Sequence, residues 1–355
     1  MTSPTAHKIL APLAAVAVTL GGLVLFERLP APVPASAVTQ AIHVADSPEA
    51  PADTNREALS RVDGVSHQSA AVTGNEHQAV LDYWTEERMA AATPITNMLE
   101  GALSLPGEVL SPDTVEHQAA PHPNSSGERW TAGGLVAKTT GKVYLTMNGR
   151  DFTCSASVVE AANRSTLVTA GHCAKDGRGA WARNWTFVPG YASGKAPYGR
   201  YTARDMLVPP QWSRQANDSY DFAMVVVNTD DGTPVQDRVG AHRIAFDSWG
   251  EGRVREGVQV YTFGYPASSP YNGRNLYYCS GRTKPDTGGT TANGVRCAMT
   301  QGSSGGPWFT GFDTTTGKGT ISSVISFKYS NDRRTQYGPR LGGQARELYD
   351  HAVRL

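Results

Sequence analysis

The 355-residue sequence has no excess of either charge, few charged residues and no Cys-x-x-Cys pair. Its 32 basic and 32 acidic residues give a formal charge of zero, so no polyanionic partner such as a nucleic acid is expected. Without a Cys-x-x-Cys spacing, the four cysteines are not expected to hold a metal ion. Charged residues make up only 18% of the chain beside 37 glycines and 22 prolines, which is typical of a turn-rich extracellular β protein.

The N-terminus has the pattern of an export signal. Lys8 precedes a run without charge at residues 9–26, and Ala35-Ser36-Ala37 offers a small-residue cleavage site. The run is just long enough to span a membrane, but a proline and a glycine pair within it weaken a spanning helix. We therefore expect residues 1–37 to be a cleaved signal peptide and the protein to be secreted. The alternative is an uncleaved anchor at residues 9–26, with the protein facing the outside.

Residues 38–130 differ in composition from the rest of the chain. Ala, Pro, Ser, Glu and His dominate and apolar periodicity is weak, so most of this stretch is expected to be disordered. One short helix is predicted near residues 79–92, where Thr85 is followed by two glutamates and can act as an N-cap. We interpret 38–130 as a pro-segment and linker, with Trp84 and Met89 docked on the domain that follows.

Residues 131–355 predict an all-β domain. Short apolar runs alternate with Gly, Asn and Asp turns, and helical periodicity is rare, which indicates a barrel or sandwich. The predicted strands include residues 142–147, 155–160, 166–170, 222–227, 258–263 and 320–327. Only residues 344–353 place apolar side chains at helical spacing, and they predict an amphipathic C-terminal helix.

Three short blocks carry groups suited to nucleophilic catalysis. Gly302-Ser303-Ser304-Gly305-Gly306-Pro307 flanks a serine with glycines, which let the backbone turn and keep Cβ atoms out of the space where an oxyanion would form. Thr169-Ala170-Gly171-His172-Cys173 and Asp221-Phe222-Ala223 lie upstream. A serine hydroxyl needs a base such as imidazole, and the imidazole needs a carboxylate that holds it in one tautomer.

Together these blocks resemble the signature of trypsin-like serine endopeptidases, in particular of secreted bacterial members related to glutamyl endopeptidases. The resemblance covers roughly residues 135–355, and the order His, Asp, Ser is that of the chymotrypsin type. It implies two six-stranded antiparallel β-barrels packed face to face, with a C-terminal helix. It also implies that His172 is the general base, Asp221 the orienting carboxylate and Ser304 the nucleophile. The N–H groups of Gly302 and Ser304 would form the oxyanion hole.

Two of these assignments have local competitors. Asp218 lies in a polar stretch that suits a solvated turn, whereas Asp221 opens an apolar run that reads as a buried strand. A carboxylate at the mouth of a buried strand is costly unless paired, which favours Asp221. Ser303 competes with Ser304, but only Ser304 is followed directly by Gly-Gly-Pro. Because animal relatives carry an aspartate where Ser303 stands, their salt-bridge activation switch is not expected here.

The four cysteines, an even number, fit an oxidising compartment and allow three pairings. The resemblance implies a Cys154–Cys173 disulfide that braces the histidine. It also implies a Cys279–Cys297 disulfide that tethers the wall of the specificity pocket. Loops of this length should each gain roughly 3 kcal/mol of stability on closure.

The resemblance places the substrate-binding residues on two segments. They are Ala298, Gln301, Ser326, Phe327 and Lys328. The substrate backbone would pair with the segment 326–328 and so add a strand to the sheet. Ala298 stands where an acid would select basic residues, so a trypsin-type preference is not expected. We favour a small-to-medium apolar residue at the cleaved bond, and the alternative is an acidic residue that contacts Lys328.

The expected protein is therefore a secreted serine endopeptidase made as a precursor, monomeric and without a metal or cofactor. Its partners would be polypeptide substrates and its own pro-segment. Two other functions use the same residues: a binding protein of this fold that has lost catalysis, and an esterase or acyltransferase with the same three groups. A fluorophosphonate probe separates the first from an enzyme, and a comparison of peptide with ester turnover separates the second.

Overall fold

The computed structural model describes residues 64–95 and 121–355, except for 251 and 253–255. The predicted signal or anchor at residues 1–37 and the stretches 38–63 and 96–120 lie outside the described residues. Within the described part of the chain, no helix has the length and apolar character that a membrane crossing requires.

Strands dominate the described residues. The strands are β1 Ser66–Ser69, β2 Thr93–Pro94, β3 Ser126–Arg129, β4 Thr140–Met147, β5 Arg150–Val158, β6 Thr166–Thr169, β7 Arg183–Pro189, β8 Tyr201–Val208, β9 Ala223–Val227, β10 Arg243–Ile244, β11 Gln259–Gly264, β12 Tyr277–Arg282, β13 Lys284–Pro285, β14 Asn293–Arg296, β15 Pro307–Asp313, β16 Lys318–Val324, β17 Phe327–Tyr329 and β18 Asp332–Gly338. The α-helices are α1 Gly74–Tyr83, α2 Glu86–Ala91, α3 Gly134–Thr139, α4 Pro210–Gln215, α5 Val235–Val239 and α6 Gly343–Ala352. The predicted mostly-β fold with a C-terminal helix is confirmed.

Six antiparallel strands close into a barrel in the first half of the domain. The hydrogen-bonded order is β4-β5-β6-β9-β8-β7, and β7 pairs back with β4. Each of the six strands pairs with two neighbours in the ring, and the positions of β8 and β5 that extend beyond these pairings remain open to further strands. The barrel therefore gives a rigid base for the loops that leave its strands.

Strand β9 shows why its sequence is apolar at every position. Ala223, Val225 and Val227 point into the barrel core, while Met224 and Val226 belong to a second core that includes Leu348 of α6. Alternate residues of a strand face opposite sides, so a strand covered on both faces reads as one continuous apolar run. The C-terminal helix thus covers the outer face of this strand.

The strands of the second half pair as two sheets. One has the order β10-β16-β15-β11-β12-β3 and the other β13-β14-β18-β17. The pairings among the described residues do not close these sheets into a second ring, although β13, which begins two residues after β12 ends, pairs with β14. Strand β3 comes from the stretch expected to be a linker. The Cys279–Cys297 disulfide joins the two sheets, because Cys279 lies in β12 and Cys297 directly follows β14.

Residues 64–95, called the N-terminal segment below, are folded rather than disordered. The single helix predicted near 79–92 is two helices, α1 and α2, which Trp84 separates. Thr73 caps α1 in a capping box with Glu76, and Thr85 caps α2 as predicted. Composition alone did not indicate that the N-terminal segment is folded, because much of the segment's apolar surface is buried against the barrel and not within the segment itself.

The N-terminal segment contacts the outside of the first barrel. Strand β1 pairs antiparallel with β8, and β2 pairs with β5. The Trp84 side chain is 2% exposed; its indole nitrogen donates to the carbonyl of Asn184, and its ring lies 5.4 Å from that of Tyr144. Met89 is partly buried against the cluster that Trp84 and Tyr144 form with Val188.

Loss of the second disulfide is expected to weaken the fold measurably. Replacing both Cys279 and Cys297 with alanine should lower the free energy of unfolding by about 3 kcal/mol, because the bond joins residues 18 apart and restricts the unfolded chain. Denaturant unfolding of the two proteins measures the difference. A loss below about 0.5 kcal/mol would mean that the two sheets hold together without this link.

Candidate active site

The His172 side chain is positioned by a short 3₁₀ turn, Gly171–Cys173, directly after β6. The Cys154–Cys173 disulfide ties this turn to β5. Only glycine fits at position 171, because a Cβ there would lie 2.9 Å from an Asp221 carboxylate oxygen and 2.9 Å from the Trp212 ring. The turn is therefore held against the carboxylate at close range.

Asp221 is the carboxylate that meets the histidine. It is fully buried at the entrance of β9 and accepts hydrogen bonds from His172 N (2.7 Å), His172 Nδ1 (2.8 Å) and Ser326 Oγ (2.5 Å). These bonds compensate the cost of burying a charged group. Asp218 instead lies in the 3₁₀ turn Asp218–Tyr220 that leads to it.

The Asp221 contact fixes which ring nitrogen of His172 carries the proton. A carboxylate only accepts hydrogen bonds, so Nδ1 is the donor, and in the neutral imidazole Nε2 then keeps the lone pair. Nε2 is buried and has no hydrogen-bond partner among the described residues. The ring therefore presents an unused basic nitrogen.

Ser304 lies in the loop before β15, close to the His172 turn. Its main-chain oxygen accepts from Ser155 N (2.7 Å) and lies 3.7 Å from Cys173 Sγ, which is within 4.8 Å of a His172 ring nitrogen. The neighbouring hydroxyl of Ser303 is already used, since it donates to the carbonyl of Thr300 at 2.8 Å. Of the two serines, Ser304 is the one whose hydroxyl is not committed to that loop.

Two backbone amides near Ser304 have no acceptor among the described residues. Within residues 64–95 and 121–355 as described, neither Gly302 N–H nor Ser304 N–H donates a hydrogen bond. Gly302 has a φ of +94°, and its carbonyl is turned away to accept from Ser155 Oγ at 3.0 Å. Buried amides without partners are uncommon in folded proteins, and two of them together can hold an oxygen anion.

Sequence reasoning missed Ser155. Its hydroxyl bonds the Gly302 carbonyl and accepts from Tyr265 N (3.0 Å), and its own amide bonds Ser304. This one residue of β5 therefore supports the loop at two points. No sequence signal other than its position beside Cys154 distinguishes it from other strand serines.

The five predicted substrate-binding residues fall in two places. Ser326 bonds Asp221, and Phe327 and Lys328 begin β17, which is an edge strand of its sheet. Ala298 is exposed, and Gln301 directly precedes Gly302. The Lys328 ammonium donates to the carbonyls of Cys297 (2.6 Å) and Arg333 (2.7 Å), as well as making further contacts.

One cluster in the described part of the chain has the residue types of a metal site, namely Cys154, His172 and Cys173. Both sulfur atoms belong to the disulfide, so neither can act as the thiolate that a metal would need. The histidine nitrogen that faces the carboxylate carries a proton. This donor set does not fit a metal ion.

A buried Asp–His pair on a six-stranded antiparallel barrel, close to a serine and two amides in the loop before β15, is the arrangement of a serine peptidase of the chymotrypsin fold. The chain belongs to the trypsin family, whose model matches residues 132–339. It is a serine-type peptidase, and thus a hydrolase.

Three of the solved structures similar to the chain are described as a protease, a serine protease and a Glu endopeptidase. The protease Anisep from Arthrobacter nicotinovorans is 40% identical, with a TM-score of 0.57 over 61% of this chain and 96% of that one. A thermostable serine protease, AL20, from an extremophilic microorganism is 37% identical, with a TM-score of 0.57 over 62% and 99%. A Glu endopeptidase, 19% identical with a TM-score of 0.52, shares the fold.

One curated relative matches over a short region only. The extracellular metalloprotease of Bacillus subtilis (strain 168) is 32% identical over 73 residues, which are 21% of this chain and 23% of that protein. The chain thus spans less than a quarter of that relative.

Proposed function

We propose that the protein is a secreted endopeptidase that hydrolyses peptide bonds through an acyl-enzyme on Ser304. The observation that carries this proposal is the Asp221–His172 pair close to the Ser304 loop. Within the described part of the chain, the other ring nitrogen of His172 has no hydrogen-bond partner. His172 is the base, and Asp221 orients it. The amides of Gly302 and Ser304 form the oxyanion hole.

In the first half-reaction, Ser304 Oγ attacks the substrate carbonyl while Nε2 of His172 takes its proton. The carbonyl oxygen of the substrate becomes an anion, which the Gly302 and Ser304 amides bind. One such hydrogen-bond donor stabilises the transition state by about 3–4 kcal/mol. The imidazolium, stabilised by Asp221, then gives its proton to the leaving amine. In the second half-reaction, water attacks the acyl-enzyme with the same proton transfers through His172, and Ser304 is released. In enzymes without substrate the serine–histidine bond is often long, and it tightens in the complex.

Substrate backbone is proposed to pair with the edge strand β17. An edge strand offers unpaired backbone groups, so an extended peptide gains affinity there without regard to its side chains. The Lys328 ammonium bonds two carbonyls, which supports a preference for a small-to-medium apolar residue over an acidic residue that this ammonium would bind. A peptide-library cleavage profile tests it: enrichment of Asp and Glu before the cleaved bond would favour the alternative.

The N-terminal segment is proposed to be part of a removed pro-segment, which acts as an intramolecular partner. The family match begins at residue 132. Anisep and AL20 align over nearly their whole lengths yet account for only 61–62% of this chain. N-terminal sequencing of active enzyme from the culture medium tests both removal and export. A start at Val38 in active enzyme would argue against removal of the pro-segment.

Trp84→Ala is expected to destabilise the precursor only. Truncating a buried tryptophan costs about 3–5 kcal/mol, so the thermal midpoint of the precursor should fall, while mature enzyme that has lost the segment keeps its midpoint. Differential scanning calorimetry of both forms measures this. Val72→Ala is the matched control, since Val72 lies in the same segment but is 49% exposed. Equal midpoints for wild-type and Trp84→Ala precursors would show that the docking contact is energetically unimportant.

A further inference from the structure

Lys142 is a buried cation at the boundary between the two halves of the domain. It lies on β4 of the first barrel and is 6% exposed. Its ammonium donates to the carbonyl of Gly273 in the second half (3.1 Å) and lies 5.0 Å from the ring centroids of both Tyr144 and Tyr191. Tyrosine faces attract cations at this range.

The Gly273 carbonyl belongs to the loop formed by residues 265–273, which contacts the segment around Gly302. Gly273 N–H donates to the carbonyl of Pro266 (2.8 Å), and Ala267 N–H donates to the carbonyl of Gln301 (2.7 Å), the residue before Gly302. The contact with Gly302 is tight, because a Cβ there would lie 2.8 Å from the Tyr265 carbonyl oxygen. A shift of the 265–273 loop would therefore move Gly302.

The positive charge of Lys142 is disfavoured at this buried position. Burial, followed by repulsion from Arg274, lowers the pKa of Lys142 to about 8. A methionine would fill similar space without that cost, but it would leave the Gly273 carbonyl without its donor. The groups that face the ammonium are the two tyrosines, Arg274 and the Gly273 carbonyl.

We propose that Lys142 is a positioning residue: held by the rings of Tyr144 and Tyr191, its ammonium fixes the 265–273 loop and thereby the backbone of Gly302. The inference rests on the proposed role of the Gly302 and Ser304 amides as an oxyanion hole. Lys142 itself touches neither of these amides in the contacts described. Its effect is on where the Gly302 N–H points.

Lys142→Met is expected to lower kcat roughly 10- to 100-fold with little change in KM, because a small misplacement of an oxyanion donor weakens transition-state binding only. The wild-type kcat should fall as the pH rises through about 8, where the ammonium loses its proton. The variant should show no such fall. Steady-state kinetics of mature enzyme between pH 6 and 10, normalised to active sites titrated with a fluorophosphonate, measure both effects.

Lys138→Met on α3 is the matched control, since Lys138 is exposed, and it should leave both kcat and the pH profile unchanged. Arg274→Ala removes the nearby repulsion without altering Lys142 and should move the alkaline fall to higher pH. The Arg274→Ala variant therefore tests the role of Lys142 even if the Lys142→Met protein fails to fold. An alkaline limb that stays in place in Arg274→Ala, or a kcat per active site within twofold of wild type in Lys142→Met, would overturn the inference. Wild-type enzyme without peptidase activity would instead overturn the proposed function.

Discussion

Ser304→Ala is expected to lower kcat for peptide hydrolysis by about 10⁶-fold. Removal of a catalytic serine in enzymes of this mechanism costs about that much. Residual turnover, about 10³-fold above the uncatalysed rate, should remain from binding and the oxyanion hole. Initial rates on a peptide substrate, with a fluorophosphonate to confirm loss of labelling, measure the change. Full activity in purified mature Ser304→Ala would refute the assignment of the nucleophile.

Ser303→Ala is the control. The two serines are adjacent in one loop, and the Ser303 hydroxyl donates to the Thr300 carbonyl rather than towards the histidine. Its loss should cost about 1 kcal/mol of stability and leave fluorophosphonate labelling intact. The reverse outcome, with Ser303→Ala inactive and Ser304→Ala active, would exchange their roles.

Asp221→Asn is expected to lower kcat by about 10⁴-fold near neutral pH, while the fold is retained. The amide NH₂ would donate to His172 Nδ1, so that the proton moves to Nε2. A protonated Nε2 cannot accept a proton from Ser304. KM should change much less than kcat, because the carboxylate is 0% exposed and so is not accessible to a bound peptide.

Asp218→Asn is the matched control, since this residue lies three positions earlier in the turn that leads to Asp221. It should keep activity within about threefold, because no tautomer depends on it. A crystal structure of Asp221→Asn should show the imidazole in place with its bond to position 221 retained. Loss of activity in Asp218→Asn but not in Asp221→Asn would contradict the assignment.

The three site side chains could be predicted because each lies in a short block whose composition follows from its chemistry. Glycines around Ser304 and at position 171 are required by close packing, so they are visible in the sequence. Asp221 could be chosen over Asp218 because it opens an apolar run, and that run is buried on both faces. These are local signals.

The features that sequence reasoning missed depend on contacts between distant segments. The Lys142 ammonium meets a loop 131 positions away, and nothing near Lys142 in the sequence marks it. Lys328 was predicted as a substrate-binding residue, but the position of its ammonium depends on the carbonyls of Cys297 and Arg333, which it bonds. The N-terminal segment was read as largely disordered because its own composition is polar. Its order comes from surface that the barrel supplies.

The burial of Trp84 against Tyr144 gives the proposed precursor an intrinsic fluorescent reporter. In the docked segment the indole is shielded from water, and shielded indoles emit at shorter wavelengths than hydrated ones. Release of the segment would expose this ring and shift its emission to the red. The difference in emission between wild-type and Trp84→Phe precursor would then follow maturation in real time, in an unlabelled sample.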